Sequence, residues 1–325
     1  MQKLWSIFFG IVVVLCIVAF AISPSQGWWL PRDVSSFGGQ VDDLFYLIFW
    51  VTAFFFVLTE GLLVYCMYRF TAVPGRKAAY VHGNHKLEIL WTIVPAAILV
   101  LIAVLQINTW ETIKYQSRMP RPAKETQQID VTARQWEWRF RYPSPSRLAR
   151  MQADTGAALD FADNPHEGDV HVVNELHVWR NSKDRQGGKV PQKVRLSLRT
   201  RDVLHSLKIV NLRLMQDAVP GKVIPVWFMV EEQYNTAFDP STGRWRDGFD
   251  AKTGKWAEYN LKTEEWSSIE NVWEIACAEF CGTRHTAMKA RLFVHKDEED
   301  FKAWLRWAEK QSNQREENAP TVAGQ

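Results

Sequence analysis

Three long apolar runs in the first third of the chain restrict what it can fold into. Leu4 to Ile22 carries 19 residues without a charge behind Lys3. Phe45 to Tyr68 is a second run, broken by one acid, Glu60, and Ile89 to Trp110 is a third, with 22 uncharged residues. About 20 apolar residues cross a bilayer as a helix, so the chain is directed to a membrane. The first run has two readings. It is a secretory signal with Ala19-Phe20-Ala21 as the cleavage-like site, or a retained helix, and its length leans to the helix. An acid such as Glu60 is costly in hydrocarbon. It either faces protein, which implies a partner membrane subunit, or sits solvated near a helix end. The loop between the second and third runs holds Arg69, Arg76, Lys77 and Lys86, with Glu88 at its far edge. The excess of positive charge places it in the cytoplasm and everything after Trp110 outside. Lys114, Arg118, Arg121 and Lys124 beyond the third run weaken that bias.

After about Gln128 the pattern changes to period two. Ile129, Val131 and Ala133 alternate with polar residues and lead into Trp136, Trp138 and Phe140, and Val194, Leu196 and Leu198 alternate likewise. Val223 to Val230 and Ala290 to Val294 are further short apolar runs. Such stretches read as half-buried strands of a β-sandwich or barrel. Asp297 to Gln311 reads as an amphipathic helix with Phe301, Trp304, Leu305 and Ala308 on one face, followed from Ser312 by a polar, disordered tail. A net charge of +3, from 39 basic and 36 acidic residues, gives no sign of nucleic-acid binding.

The chemistry is concentrated in Cys277-Ala-Glu-Phe-Cys281-Gly-Thr-Arg-His285-Thr-Ala-Met288. Two thiols, an imidazole and a thioether within twelve residues form a soft donor set suited to copper. Zinc takes Cys and His in fours but has little use for Met288. Spacings of four would align Cys277, Cys281 and His285 on a helix, whereas Gly282 and the flanking strand pattern favour a loop between strands. A further strong ligand must come from elsewhere, and His205 in Asp202-Val-Leu-His205-Ser is the best candidate. Cys16 and Cys66 lie in apolar runs and read as small buried hydrophobes.

Cys-x-Glu-x-Cys-Gly-x-x-His-x-x-Met resembles the dinuclear copper signature of cytochrome c oxidase subunit II. Four more segments resemble that family: Asp202-Val-Leu-His205-Ser, Asp217-Ala-Val-Pro-Gly221, Gln135-Trp136-Glu137-Trp138 and Leu87-Glu88-Ile-Leu-Trp-Thr-Ile-Val-Pro95. The resemblance runs from about Val41 to Ala303. It implies a membrane helical hairpin over 41–112 and an all-β, cupredoxin-like exported domain over 126–303. Residues 1–30 form the signal peptide or extra helix, and 304–325 the end of the C-terminal helix and a tail. By the same resemblance Cys277 and Cys281 bridge two copper ions, and His205 and His285 bind one each. Met288 and the backbone carbonyl of Glu279 are the weak ligands. The Glu279 side chain helps hold a magnesium ion at the catalytic subunit, Trp136 admits electrons, and Glu88 opens a proton path. The implied partners are the catalytic haem–copper oxidase subunit I, other oxidase subunits and a c-type cytochrome donor. The implied setting is a bacterial-type inner membrane with the copper domain on the periplasmic face. The implied reaction is electron transfer toward dioxygen reduction and proton pumping.

The sequence departs from the family in places. Glu137 stands where Tyr is usual, and Arg201 stands before Asp202 where an acid is common. No Cys-x-x-Cys-His occurs, so the chain carries no covalent haem. Between Gly221 and Cys277 lies a repeat over 235–267: Phe238-Asp-Pro-Ser-Thr-Gly-Arg-Trp245, Phe249-Asp-Ala-Lys-Thr-Gly-Lys-Trp256 and the degenerate Tyr259-Asn-Leu-Lys-Thr-Glu-Glu-Trp266. Asp and Gly mark turns and the aromatics fill strands, which predicts hairpins next to the metal loop, either as decoration or as a docking surface. The rival functions are the copper subunit of a nitric oxide reductase and a membrane-anchored copper carrier. A carrier would need neither Trp136 nor Glu88.

Overall fold

A computed structural model describes residues 2–72, 74–75, 77, 80, 82–123, 126–154, 156–157, 161, 164–183, 189–230, 233–239, 244–247, 249–250, 255–260, 265–269 and 273–317. The chain divides into two units, Met1–Pro31 with Gln40–Glu111, and Arg32–Gly39 with Thr112–Gln325.

The three apolar runs form α1 (Gln2–Ile22), α2 (Gly38–Arg69) and α3 (His85–Lys114). All three are long and apolar enough to cross a membrane. Their apolar side chains are largely exposed, because a helix made for hydrocarbon needs no covering protein. Asn84 Oδ1 accepts from the backbone N–H groups of Lys86 and Leu87 and so caps α3. Against α2, α1 packs closely. A Cβ on Gly10 would stand 3.3 Å from Val64. Phe20 stacks on Phe49, and Trp29 stacks on Tyr46.

The second unit is built on eighteen strands among the described residues. They are β1 (Thr126–Arg134), β2 (Glu137–Tyr142), β3 (Val170–Val173), β4 (Glu175–Trp179), β5 (Asn181–Lys183), β6 (Lys189–Pro191), β7 (Lys193–Thr200), β8 (His205–Ile209), β9 (Leu214–Ala218), β10 (Ile224–Met229), β11 (Gln233–Tyr234), β12 (Thr236–Asp239), β13 (Arg244–Asp247), β14 (Phe249–Asp250), β15 (Lys255–Asn260), β16 (Glu265–Ile269), β17 (Glu274–Cys277) and β18 (Lys289–His295). One sheet has the order β10-β7-β1-β2-β3, with β1 and β7 parallel. A second runs β13-β12-β18-β17-β8-β9, with β4 added to β18 in parallel. The sheets meet where β2 lies against β4 and β18 and where β7 lies against β9. Val131, Trp138, Phe140, Leu196 and Leu198 from the first sheet are fully buried, as are Leu176, Val178, Leu207, Ile275 and Val294 from the second. This is the mostly-β domain that the alternating pattern predicts.

Three features depart from the sequence reading. A helix α4 (Pro145–Ala153) follows β2, capped by Ser144, whose side chain accepts from Arg147 N–H. The C-terminal helix α5 (Glu298–Glu317) continues past Ser312 instead of stopping there, since Asn313-Gln-Arg-Glu-Glu317 holds mostly good helix formers. The segment Arg32–Gly39, left unassigned from sequence, belongs to the β unit. There Val34 N–H donates to Asn211 O, and Phe37 packs edge-on to Trp227.

The inserted repeat forms hairpins in each copy. Phe238 stands opposite Trp245, Phe249 opposite Trp256 and Tyr259 opposite Trp266, so the first and eighth residues of every copy are cross-strand partners. The expectation that the insertion sits beside the metal loop is corrected at its root. Thr236 pairs with His295, the far end of the strand whose first residue, Lys289, leaves that loop. The two ends of the strand are six residue steps apart, about 20 Å.

Candidate metal centre

Cys277 closes β17, Lys289 opens β18, and the loop between them carries the soft donors. Cys277 N–H donates to Met288 O and Ala278 N–H to Ser206 O, which pins the loop at its base. Within it, His285 N–H donates to Gly282 O and Met288 N–H to His285 O. These turns fold His285 and Met288 back over the cysteines. The arrangement is the loop that Gly282 suggested, and not a helix. Gly282 adopts φ +115°, and a Cβ there would lie 3.0 Å from Gln135 Nε2 and 3.2 Å from Trp136 Cζ2. Backbone conformation and space both demand glycine.

Cys277 Sγ and Cys281 Sγ are 3.7 Å apart. His205 Nδ1 lies 3.8 Å from Cys277 Sγ, and His285 Nδ1 lies 3.6 Å from Cys281 Sγ. Met288 Sδ is 3.9 Å from Cys281 Sγ, and the Glu279 carbonyl oxygen is 3.3 Å from Cys277 Sγ. Two ligands at about 2.0–2.3 Å from one tetrahedral metal stand roughly 3.3–3.8 Å from each other, so these separations fit donors sharing an ion. His205, Cys277 and Cys281 bring their ligand atoms within 4.8 Å of one another, and His285 stands outside that set on the Cys281 side. All six ligand residues named from sequence are therefore gathered in one place. Cys277, Cys281, His205 and Met288 are buried, while Glu279 is exposed.

The surroundings hold these groups in position. Asp202 Oδ1 accepts from His205 Nε2 at 2.8 Å, which turns Nδ1 toward Cys277. Asp202 itself accepts from the backbone N–H of Gln135 and of Val203. The Cys281 carbonyl accepts from Gln135 Nε2 at 2.8 Å and from the Trp136 indole N–H at 3.1 Å. Burial disfavours the Cys277 thiolate, but hydrogen bonds led by His205 outweigh it and bring the thiol down to about 6. Burial and that neighbouring thiol push Cys281 up to about 12. Burial also disfavours the charged His205 ring, yet Cys277 and Asp202 together leave it raised.

The family model described as cytochrome C oxidase subunit II, transmembrane domain, matches residues 23–108. The alternative cytochrome c oxidase subunit 2 of Bradyrhizobium diazoefficiens is 27% identical over 289 residues, 86% of this chain and 84% of that one. The chain is thus similar to cytochrome c oxidase subunit II along most of its length. The cytochrome c oxidase subunit 2 of Thermostichus vulcanus is 23% identical over 350 residues, 98% of this chain and 88% of that one. Among solved structures, the periplasmic domain of a cytochrome oxidase subunit II from Bradyrhizobium japonicum matches 59% of this chain and 99% of its own at 17% identity and a TM-score of 0.32.

The two tryptophans of the aromatic segment have separate surroundings. Trp138 is fully buried, with its ring 6.3 Å from that of His205. Trp136 is half-buried and hydrogen-bonded to the metal loop. Glu137, the departure between them, is held by Arg134 and Arg139, each at 2.6 Å. Glu88 belongs to the other unit, in the first turn of α3, half-exposed, with His85 Nδ1 at 3.1 Å. Sequence reasoning missed Asp202 and Gln135 as braces. The Asp-x-x-His spacing was the available signal for the first. It also missed the exposed apolar side chains beside the centre, Phe280, Val203 and Leu204.

Proposed function

We propose that the chain takes electrons from a c-type cytochrome at a dinuclear copper site and passes them to the haem of a separate catalytic subunit, which reduces dioxygen and pumps protons. Cys277 and Cys281 would bridge the two ions, with His205 on one and His285 on the other. Met288 and the Glu279 carbonyl would complete the set. When bound, the copper pair supplies a one-electron site spread over two metals, which changes geometry little between its redox states. The observation that supports this reading is the disposition of the imidazoles, one beside each of two thiols 3.7 Å apart. A single tetrahedral zinc would use neither that division nor the thioether.

The chain's own residues do the positioning. Asp202 holds the His205 tautomer, Gln135 and Trp136 hold the Cys281 carbonyl, and buried neighbours keep water from the thiols. The Trp136 indole touches that carbonyl, so it offers the short route from the surface to the centre. Phe280, Val203 and Leu204 give the donor an apolar contact. In this reading the Glu279 side chain helps hold magnesium at the catalytic subunit, because Mg²⁺ prefers oxygen ligands. Glu88 would collect protons from the cytoplasmic side, with the β unit on the periplasmic face of the inner membrane. Single-turnover electron uptake from reduced cytochrome c tests the proposal. Trp136→Ala should slow it severalfold with copper still bound, because Gln135 continues to hold the Cys281 carbonyl, and equal rates would contradict the entry role.

A further inference from the structure

A groove of about 570 Å³ lies between α1 and α2, and Ser6, Gly10, Val14, Val57, Glu60 and Gly61 are among its lining residues. Glu60 Oε2 is buried and has no hydrogen-bond partner among the described residues. Ser6, a polar neighbour in the lining, already gives its hydroxyl proton to Lys3 O at 2.8 Å. A carboxyl oxygen inside a span without a donor is costly, and acidic residues in spans face protein or a water-filled cavity.

We propose that this groove is the seat of a transmembrane helix from another subunit, one that carries a hydrogen-bond-donating side chain aimed at Glu60. The depth of the site selects that occupant over lipid. Glu60 lies nine residues before Arg69, the basic end of α2, a rise of about 13 Å. Acyl chains at that depth offer no donor, and the hydroxyls and amines of lipid headgroups stay at the interface. A side chain on a spanning helix reaches it. The small residues Gly10 and Gly61 let an incoming backbone approach closely, as helix contacts in membranes require.

The groove exists only if α1 is retained, and the packing of α1 argues that it is. Lys3 lies 5.1 Å over the Tyr68 ring near one end, Gly10 abuts Val64, and Phe20 joins Trp29 and Phe49 near the other. Together these contacts fit α1 against α2 along its length. The proposal rests on reading the chain as one subunit of a larger membrane oxidase.

The test is photo-cross-linking in the native membrane, with benzoylphenylalanine placed at Val14 or Val57, followed by purification and mass mapping. The expected adduct joins this chain to a transmembrane peptide of a co-purifying oxidase subunit that contains a donor residue. Glu60→Leu should cut its yield by about three- to thirtyfold, the range expected for one interhelical hydrogen bond, and Glu60→Gln, which keeps an acceptor, should retain most of it. Adducts with lipid, quinone or this chain alone, equal yield in Glu60→Leu, or a mature chain whose intact mass lacks α1 would each overturn the proposal. The copper signal of the same preparation reports separately on the oxidase reading. Its loss with the cross-link intact would count against that reading and not against the groove.

Discussion

At the residue scale the centre depends on side chains that never touch a metal. Asp202 is not one of the soft donors, yet its carboxylate accepts from His205 Nε2 and so fixes which nitrogen of the ring faces Cys277. Partners of this kind commonly set metal affinity within a factor of about 10–100. Asp202→Asn should therefore weaken copper binding by about that much while leaving the fold intact, as read by copper titration beside circular dichroism. Unchanged affinity would show that burial alone orients the ring. The soft donors that gather here were legible in the sequence as a group, because Cys, His and Met at such spacings have few other uses. Gln135 was not, because its role arises only when the loop after β1 meets the loops before β8 and after β17, and Asp202 was signalled only by its Asp-x-x-His spacing. Gly282 was legible as a loop marker, but the indole that excludes a side chain there was not.

At the element scale the alternating strands and the three spans were readable from periodicity. Helix α4, the segment Arg32–Gly39 and the root of the insertion depend on tertiary contacts that periodicity does not carry. The junction of β4, β18 and α5 buries two histidines that no motif announced. His295 Nδ1 lies 2.6 Å from Asp300, and its Nε2 lies 3.0 Å from His177 Nδ1. His177 is stacked 3.8 Å from the Trp304 ring and packs on Phe293. Glu175 reaches its other nitrogen at 3.5 Å, and Tyr142 accepts from its backbone N–H. Burial lowers both histidines, and the pull of Asp300 and Asp297 on His295 does not offset it. A folded-state value below the unfolded one gives stability that is complete above about pH 6.5 and is lost as pH falls toward the folded value. The unfolding free energy of the protein should fall below pH 6.5, by up to about 1.4 kcal/mol per pH unit for each histidine. Urea titrations from pH 7.5 to 5 should show this slope, and His177→Phe should reduce it. A variant with the parent's slope would place the acid sensitivity elsewhere.

The buried charge network is a second device at this scale. Asp169, fully buried, accepts from both Arg141 and Arg147, and Arg141 also meets Asp130. Removing one member of such a set strands the others, at a cost of about 3–5 kcal/mol. Asp169→Ala should lose about that much stability in chemical unfolding, with the metal ligands untouched. A loss below about 1 kcal/mol would mean that solvent reaches the arginines.

At the scale of the whole molecule the chain joins a membrane-spanning unit to a β unit whose loops gather the soft donors. Glu88 belongs to the first and the metal loop to the second, so the two roles proposed for them separate by mutation. Glu88→Gln in the assembled complex should slow turnover steps that need protons from the cytoplasmic side and leave electron uptake unchanged. Normal steady-state turnover across pH would reduce Glu88 to the exposed partner of His85. The repeat separates likewise, since Asp239 to Glu265 contains no proposed ligand and its root lies at the far end of β18 from the metal loop. The central claim is that the loops around Cys277 hold two copper ions that share one electron. Metal analysis of the purified chain with electron paramagnetic resonance tests it most directly. The account predicts two coppers per chain and a mixed-valence signal in which the unpaired electron couples to both nuclei. A single copper with a one-nucleus signal, or zinc alone in native material, would contradict it.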